Sequence, residues 1–309
     1  MTSIFDFPSR RAWIALALAG AAAYGTLAAL DFSIRILPIM CFAAAVALFT
    51  AGGYVYLRLR PDAHLFAIFM GLAYFVAMCL TAGVLAFAVV PLAGPLWDDR
   101  FMAFEERIGI DWPALATFLA GNPTMNNIWA LAYLSPVTQI LSVLILLPSF
   151  GHSERLAAFL KLMNATLIAC VVISLVIPAV GPVEAYRMPD AARQQLGASA
   201  YGYVEQLLAL REGRLTSFDF GHMQGMVTFP SYHTIMAILT AWALWPLRFV
   251  GPLAVVFNGV VIVSTIPWGG HYVSDVVGGA AIAVLGIAFV SPRRSAAPLP
   301  IPAMALPAE

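Results

Sequence analysis

The chain has 309 residues, of which 61% are hydrophobic and only 10% are charged, and its formal net charge is zero. Soluble domains carry about 25% charged residues, so this composition excludes an ordinary soluble protein and predicts an integral membrane protein that contacts the bilayer. A neutral chain has no bulk electrostatic attraction for nucleic acid, and we expect no nucleic-acid partner.

Apolar runs along the chain predict about eight membrane-spanning helices, because a crossing needs about 20 apolar residues. The expected fold is therefore an all-α, multi-pass membrane protein, although the sixth run is short. The predicted spans are residues 12–30, 36–57, 65–90, 126–148, 160–180, 233–247, 250–267 and 272–290. The Pro- and Ala-rich tail, residues 291–309, is predicted to be disordered.

Basic residues in the short loops and tails lie mainly on one side of these spans. They are Arg10, Arg11, Arg58, Arg60, Arg155, Lys161, Arg248, Arg293 and Arg294. The positive-inside rule then predicts that both termini are cytoplasmic. The end of the fifth span, the start of the sixth and the turn before the eighth lie on the opposite face, which is periplasmic (extracytoplasmic) or lumenal.

Two longer segments, residues 91–125 and 181–232, are predicted on that outer face. The first mixes acids such as Asp98 and Glu105 with aromatic residues, which is typical of an amphipathic helix along the membrane surface. We interpret its acids as a solvated face rather than as catalytic groups. The second contains a helix-like stretch, residues 191–215, which is either a lid over a site or a plain connector.

Two motifs place polar groups at the edges of apolar helices, where they are rare. Residues 229–233 read Phe-Pro-Ser-Tyr-His, and residues 269–279 read Gly-Gly-His-Tyr-Val-Ser-Asp-Val-Val-Gly-Gly. Such groups beside a bilayer indicate function by default. In a helix, His271 and Asp275 share one face at i and i+4, so the carboxylate orients an imidazole that is then a base or a nucleophile.

These two motifs, in this order and separated by one helical hairpin, resemble the type 2 phosphatidic acid phosphatase superfamily, and particularly its inositol phosphorylceramide synthase-like branch. The resemblance implies a six-helix phosphatase-type core within residues 65–290, with residues 1–64 as an addition of two N-terminal helices. It also implies that His233 is the catalytic acid, His271 the nucleophile and Asp275 the orienting carboxylate.

The chain departs from the superfamily at its phosphate-binding positions. Tyr232 replaces a glycine, Ser264 and Thr265 stand where Ser-Arg is expected, and the Lys-x6-Arg-Pro element is missing. The phosphate oxygens therefore need other donors. We expect them from backbone N–H groups at Gly269 and Gly270, from the start of the sixth span with Ser231 and Tyr232, and from the guanidinium of Arg187.

Structural roles compete with two of these assignments. Ser231 fits equally well as a helix N-cap, and Arg187 as an interfacial arginine that reaches water or pairs with an acid. His222 and Thr265 are weaker candidates for support of the catalytic groups. No metal site is indicated, and histidine-based transfer needs no metal or cofactor.

The residues and the resemblance together predict an enzyme that cleaves a lipid phosphate or phosphodiester at the outer leaflet through a phosphohistidine. Its acceptor is either water or an alcohol, such as a second lipid, and the branch resemblance favours sphingolipid head-group transfer. One alternative is a plain lipid or isoprenoid (di)phosphate phosphatase. A second is a non-catalytic bundle that binds or transports lipid.

Overall fold

The computed structural model describes residues 3–188, 193, 194, 196, 200–222 and 225–290, without the side chains of Ala120 and His222. The predicted tail, residues 291–309, lies outside these residues. So do residues 191, 192, 195 and 197–199 of the predicted helix-like stretch 191–215.

Helices make up most of the described chain. In chain order they are α1 (Arg10–Ala29), α2 (Ile36–Tyr54, continued by a π-turn Val55–Leu59), α3 (Ala63–Val89), α4 (Asp98–Arg107), α5 (Trp112–Gly121), α6 (Pro123–Leu134), α7 (Pro136–Ser149), α8 (Ser153–Val176), α9 (Pro182–Ala185), α10 (Val204–Arg211), α11 (Tyr232–Leu244), α12 (Val250–Gly269) and α13 (Val273–Val290). The described residues also form two short strands, β1 (Ser33–Ile34) and β2 (Ser217–Phe218), and the short 3-10 helices Ile4–Asp6, Val90–Leu92 and Phe220–His222.

The predicted all-α membrane fold is confirmed. Among the described residues, six helices are long and apolar enough to cross a bilayer, namely α1, α2, α3, α8, α12 and α13, and the pair α6 and α7 forms a seventh candidate. The remaining predicted span is α11, an apolar helix of only 13 residues. Length and composition therefore support a multi-pass protein.

The predicted span 126–148 consists of two helices that meet at an angle of 46°. The break lies at Ser135 and Pro136. Proline has no N–H to continue the helical hydrogen bonds, and the hydroxyl of Ser135 donates to the carbonyl oxygen of Ala132 at 2.6 Å. The bend turns α6 away from the axis of α7.

The centre of the bundle is an apolar core shared by α3, α7, α8 and α11. Its fully buried side chains include Met70, Leu144, Leu156, Leu160 and Ile235. The helices α1 and α2 pack on the outside of α3, and α2 leaves most of its surface exposed, as expected for a helix that faces lipid. The core thus fixes the helices that carry the candidate site.

A parallel strand pair joins the hairpin of α1 and α2 to the long segment before α11. β1 pairs with β2, with Ser33 opposite Ser217 and Ile34 opposite Phe218. Arg35 forms an ion pair with Asp219 at 3.0 Å. The Phe218 side chain is fully buried, so this segment is attached to the bundle at this point.

The helices α11 and α13 approach each other closely at their N-terminal ends. The amide of Ser231 donates to the carbonyl oxygen of Asp275 at 3.0 Å. One helical turn further, a Cβ atom on Gly279 would overlap the carbonyl oxygen of Ser231 and lie 3.2 Å from Cβ of Thr234. Only glycine fits this contact without movement of the backbone.

We expect Gly279→Ala to destabilise the protein, since the added methyl group meets backbone and not a flexible side chain. Overpacking of this kind costs about 1–3 kcal/mol. Thermal unfolding in detergent measures the change. Gly259→Ala is the matched control, because Gly259 lies in α12 with nothing within 4 Å of the added atom. Equal midpoints for the two variants would contradict the close approach.

Candidate active site

His271 and Asp275 form a buried pair at the start of α13. Nδ1 of His271 lies 3.2 Å from Oδ2 of Asp275. The same carboxylate oxygen accepts the backbone N–H of Tyr272 at 2.9 Å. Both residues are almost fully buried, with His271 5% and Asp275 0% exposed. If Nδ1 carries the proton that faces Asp275, the second ring nitrogen, Nε2, keeps its lone pair.

His233 lies in the first turn of α11 and shares a cavity with His271. Its ring stacks on Tyr133 of α6, with centroids 4.4 Å apart and an angle of 17° between the planes. The stacked ring limits how the imidazole can rotate. The structure therefore brings His233, His271 and Asp275 to one end of the bundle.

The cavity has a volume of about 570 Å³. Part of its wall is apolar and comes from the bend between α6 and α7 and from α11. Leu134 and Val137 in that wall are 61% and 57% exposed, so they also face the outside of the bundle. The described residues that line the cavity include no lysine or arginine. They are Tyr133, Leu134, Pro136, Val137, Gly202, Tyr203, Gly225, Val227, Thr228, His233, Met236, Gly269 and His271.

Gly269 and Gly270, the two glycines predicted to bind phosphate, lie at the C-terminal end of α12. Gly269 lines the cavity, and a Cβ atom there would lie 2.8 Å from both the His271 ring and the Tyr133 ring. Gly270 has a positive φ of 62° and ends the helix. Its amide donates to the carbonyl oxygen of Ile266 at 3.1 Å, so this N–H is occupied by the helix end and is not directed at an anion.

Ser231 and Tyr232 are placed differently from each other. Ser231 is the N-cap of α11, with its hydroxyl oxygen accepting the N–H of Thr234 at 3.4 Å, so the structural role holds. The hydroxyl of Tyr232 donates to the carbonyl oxygen of Met163 on α8 at 2.8 Å. The Tyr232 side chain therefore packs into the bundle and is absent from the described cavity lining.

Arg187 is exposed and does not belong to the described cavity lining. It has a positive φ of 47°, and its amide donates to the carbonyl oxygen of Glu184 at 2.9 Å. The side chain of Glu184 pairs with Arg193 at 3.0 Å. The structure thus places the predicted phosphate-binding guanidinium outside the cavity.

The two weaker candidates have different outcomes. The hydroxyl of Thr265 donates to the carbonyl oxygen of Ile262 in its own helix at 2.7 Å, while its carbonyl accepts the amide of His271 at 3.4 Å. Thr265 therefore contacts His271 through its backbone. His222 belongs to the short turn Phe220–His222, and its side chain lies outside the described part of the chain.

Two buried acids of α4 contact the same end of the bundle, whereas the sequence predicted a solvated acidic face. Asp98 is 7% and Glu105 0% exposed, while their neighbours Asp99 and Glu106 are exposed. Asp98 accepts the amides of Val180 and Gly181, each at 2.9 Å. A buried acid needs such donors. The spacing could have indicated this burial, because Asp98 and Glu105, seven positions apart, share a helix face with buried Phe101.

Within the described residues, no cluster of His, Cys, Asp and Glu is arranged to hold a metal ion.

The comparisons with known proteins give one match. A family model described as PAP2 superfamily covers residues 99–289, which is more than half of the chain and includes His233, His271 and Asp275. No curated protein and no solved structure matches significantly.

We expect His271 to stay uncharged well below neutral pH. Burial lowers its pKa from 6.5 to about 4, although a hydrogen bond with the backbone of Thr228 acts in the opposite direction. Only the neutral imidazole reacts with diethyl pyrocarbonate. Mass spectrometry of modified His271 across pH should therefore give a midpoint below 6.5 in the folded protein.

The denatured protein is the matched control, since the same residue should there show an ordinary midpoint of about 6.5. Identical midpoints in the folded and denatured protein would contradict the buried, neutral imidazole.

Proposed function

The chain belongs to the PAP2 superfamily, and from this membership and the geometry of the cavity we propose that it transfers the phosphate of a membrane lipid, with or without an attached head group, through a phosphohistidine. The family supports a membrane lipid phosphatase or phosphotransferase in general terms. The proposal adds His271 as the nucleophile, Asp275 as the orienting carboxylate and His233 as the acid and base.

The observation that carries the proposal is that His271, paired with Asp275, and His233 line one cavity. Nε2 of His271 attacks phosphorus and the bond from phosphorus to the leaving oxygen breaks, while His233 gives that oxygen a proton. Asp275 holds the N–H at Nδ1 and stabilises the cation that forms. In the second step His233 takes the proton of the acceptor, whose oxygen attacks the phosphohistidine and frees His271.

The phosphate oxygens need donors, and the first turn of α11 is our choice. The first backbone N–H groups of a helix have no backbone partner within the helix. In α11 the Ser231 hydroxyl already accepts the Thr234 amide, so we propose the amides of Tyr232 and His233, and the helix dipole favours an anion at this end. His233 in this turn lines the cavity. Arg187 as a phosphate ligand remains a prediction, which requires its segment to move toward the cavity.

The cavity wall supports an amphiphilic substrate. Leu134 and Val137 lie in the cavity lining and are also exposed on the outside of the bundle, so an acyl chain there contacts apolar surface while the head group reaches the histidines. With the positive-inside orientation, we propose that the reaction takes place at the extracytoplasmic or lumenal leaflet, with both termini in the cytoplasm.

The preferred reaction is head-group transfer from a lipid phosphodiester to a sphingolipid-type alcohol. It rests on the resemblance to the inositol phosphorylceramide synthase-like branch, which also looks divergent at the arginine of the last motif. In this chain Ser264 and Thr265 stand where Ser-Arg is expected. Hydrolysis of a plain lipid or isoprenoid (di)phosphate uses the same first step with water as the acceptor. A non-catalytic lipid-binding or transport bundle is the second alternative.

One incubation series separates these functions. Purified protein is supplied with phosphatidate, with an isoprenoid diphosphate, or with phosphatidylinositol and ceramide together. A new phosphosphingolipid indicates transfer, and free phosphate indicates hydrolysis. Absence of both products and of a trapped phosphoprotein would favour the non-catalytic bundle.

We expect His271→Ala to abolish both turnover and the phosphoprotein, because it removes the nucleophile. His233→Ala should lose about 10²–10⁴-fold in rate with a natural lipid. A substrate analogue with a p-nitrophenolate leaving group needs no proton, so it should restore the first step in His233→Ala but not in His271→Ala.

His152→Ala is the matched control, since His152 lies at the other end of the bundle, before α8. Full activity in His271→Ala would reject the proposed nucleophile, and failure of the p-nitrophenolate analogue to help His233→Ala would reject the proposed acid.

A further inference from the structure

The buried acids of α4 hold the two chain segments on either side of His271. We propose that Asp98 and Glu105 are positioning residues for the nucleophile, acting through Tyr272, Val273 and Gly181. The kinetic part of this proposal rests on the proposed function, whereas its geometric part does not.

Asp98 joins two sequence-distant segments through one carboxylate. Its oxygens accept the amides of Val180 and Gly181, each at 2.9 Å, in the loop that follows α8. The hydroxyl of Tyr272, the residue directly after His271, donates to Oδ1 at 3.0 Å. Both oxygens of Asp98 are therefore bonded, and this one side chain joins the loop after α8 to the residue that follows His271.

Glu105 contacts the next residue of the same segment. One oxygen accepts the backbone N–H of Val273, the first residue of α13, and the other accepts the indole N–H of Trp112 at 2.7 Å. The Val273 amide is one of the helix-start donors that lack a partner within the helix. A carboxylate there also interacts favourably with the helix dipole.

Gly270, the residue before His271, contacts the loop that follows α8. Gly181, whose amide Asp98 binds, lies against Gly270, and a Cβ atom on Gly181 would come 3.0 Å from the Gly270 carbonyl oxygen. His271 is therefore preceded by Gly270, which contacts the loop bound by Asp98. It is followed by Tyr272 and Val273, which bond directly to the two acids of α4. Its ring position follows from these contacts together with Asp275.

Neither acid is itself placed to react. Asp98 and Glu105 are absent from the described lining of the cavity that His233 and His271 share. Burial raises the pKa of the Glu105 carboxyl, and its bonds with Trp112 and Val273 oppose that shift. All four carboxylate oxygens of these two acids are occupied by donors of the protein itself, and neither acid is among the described residues that line the cavity, so both serve as fixed supports.

The test compares each acid with its exposed neighbour on the same helix. Asp98→Asn and Glu105→Gln each keep the size of the side chain but replace one accepting oxygen by an NH2 group. The controls Asp99→Asn and Glu106→Gln make the same charge change one residue away, where the side chain is exposed. Folding of every variant is checked by size exclusion and thermal unfolding in detergent.

We expect kcat to fall by up to about 100-fold in the two buried variants, since a displacement of about 1 Å at a reacting group has that effect, with KM unchanged. The rate at which diethyl pyrocarbonate modifies His271 should change in parallel, and the controls should match the wild type. Folded Asp98→Asn and Glu105→Gln proteins with control-like kcat and His271 reactivity would overturn the proposal.

A milder variant covers the case in which Asp98→Asn does not fold. Tyr272→Phe keeps the buried ring and removes only the hydroxyl that Asp98 accepts, so it should lower kcat and alter His271 reactivity more weakly. Unchanged values in folded Tyr272→Phe would overturn the role of this contact. If the wild type proves inactive on every lipid, the proposed function fails, while the His271 modification rates still decide the positioning role.

Discussion

The contact between the N-terminal ends of α11 and α13 is the constraint on which the site depends. The Ser231 amide bonds to the backbone of Asp275, and Gly279 lets the two helices approach without a side chain between them. His233 lies in the first turn of α11, and His271 lies two residues before α13. A side chain at position 279 would overlap the Ser231 carbonyl oxygen, so it would move these two helix ends, and with them the two histidines, apart.

Burying several carboxylates beside the cavity that His233 and His271 share is unfavourable unless they receive local donors. For Asp98 and Glu105 the structure does this with N–H and O–H donors instead of cations, whereas Asp275 receives donors at Oδ2 only and its buried Oδ1 has none among the described residues. Asp98 and Glu105 receive donors from α5, from α13 and from the loop after α8, and Asp275 receives the Tyr272 amide and the His271 ring. Such fixed dipoles lower the effect of the negative charge without placing an arginine in the described cavity lining.

The all-α membrane fold could be predicted from the sequence because apolar length is a local property. The spacing also predicted the contact of His271 with Asp275, which forms although His271 lies two residues before α13 and not in a helix. The sequence missed the bend at Ser135, since a proline in an apolar run is compatible with either a straight or a broken span. It also assigned the acids of α4 to solvent. The spacing of Asp98, Phe101 and Glu105 indicates one shared helix face. However, the donors that make the burial of the two acids possible, on Val180, Tyr272 and Val273, are far away in the sequence.

The candidate phosphate-binding groups were the hardest to predict, because their roles also depend on contacts that the local sequence does not show. Whether a backbone N–H is free depends on the bonds it already makes, as the amide of Gly270 shows. The direction of a side chain such as Tyr232 depends on packing against α8.

The parallel strands β1 and β2 limit how segments can be exchanged between homologous proteins. Ser33, Arg35 and Phe42 contact residues 216–220. A chimera with new N-terminal helices must therefore carry that distant stretch with them.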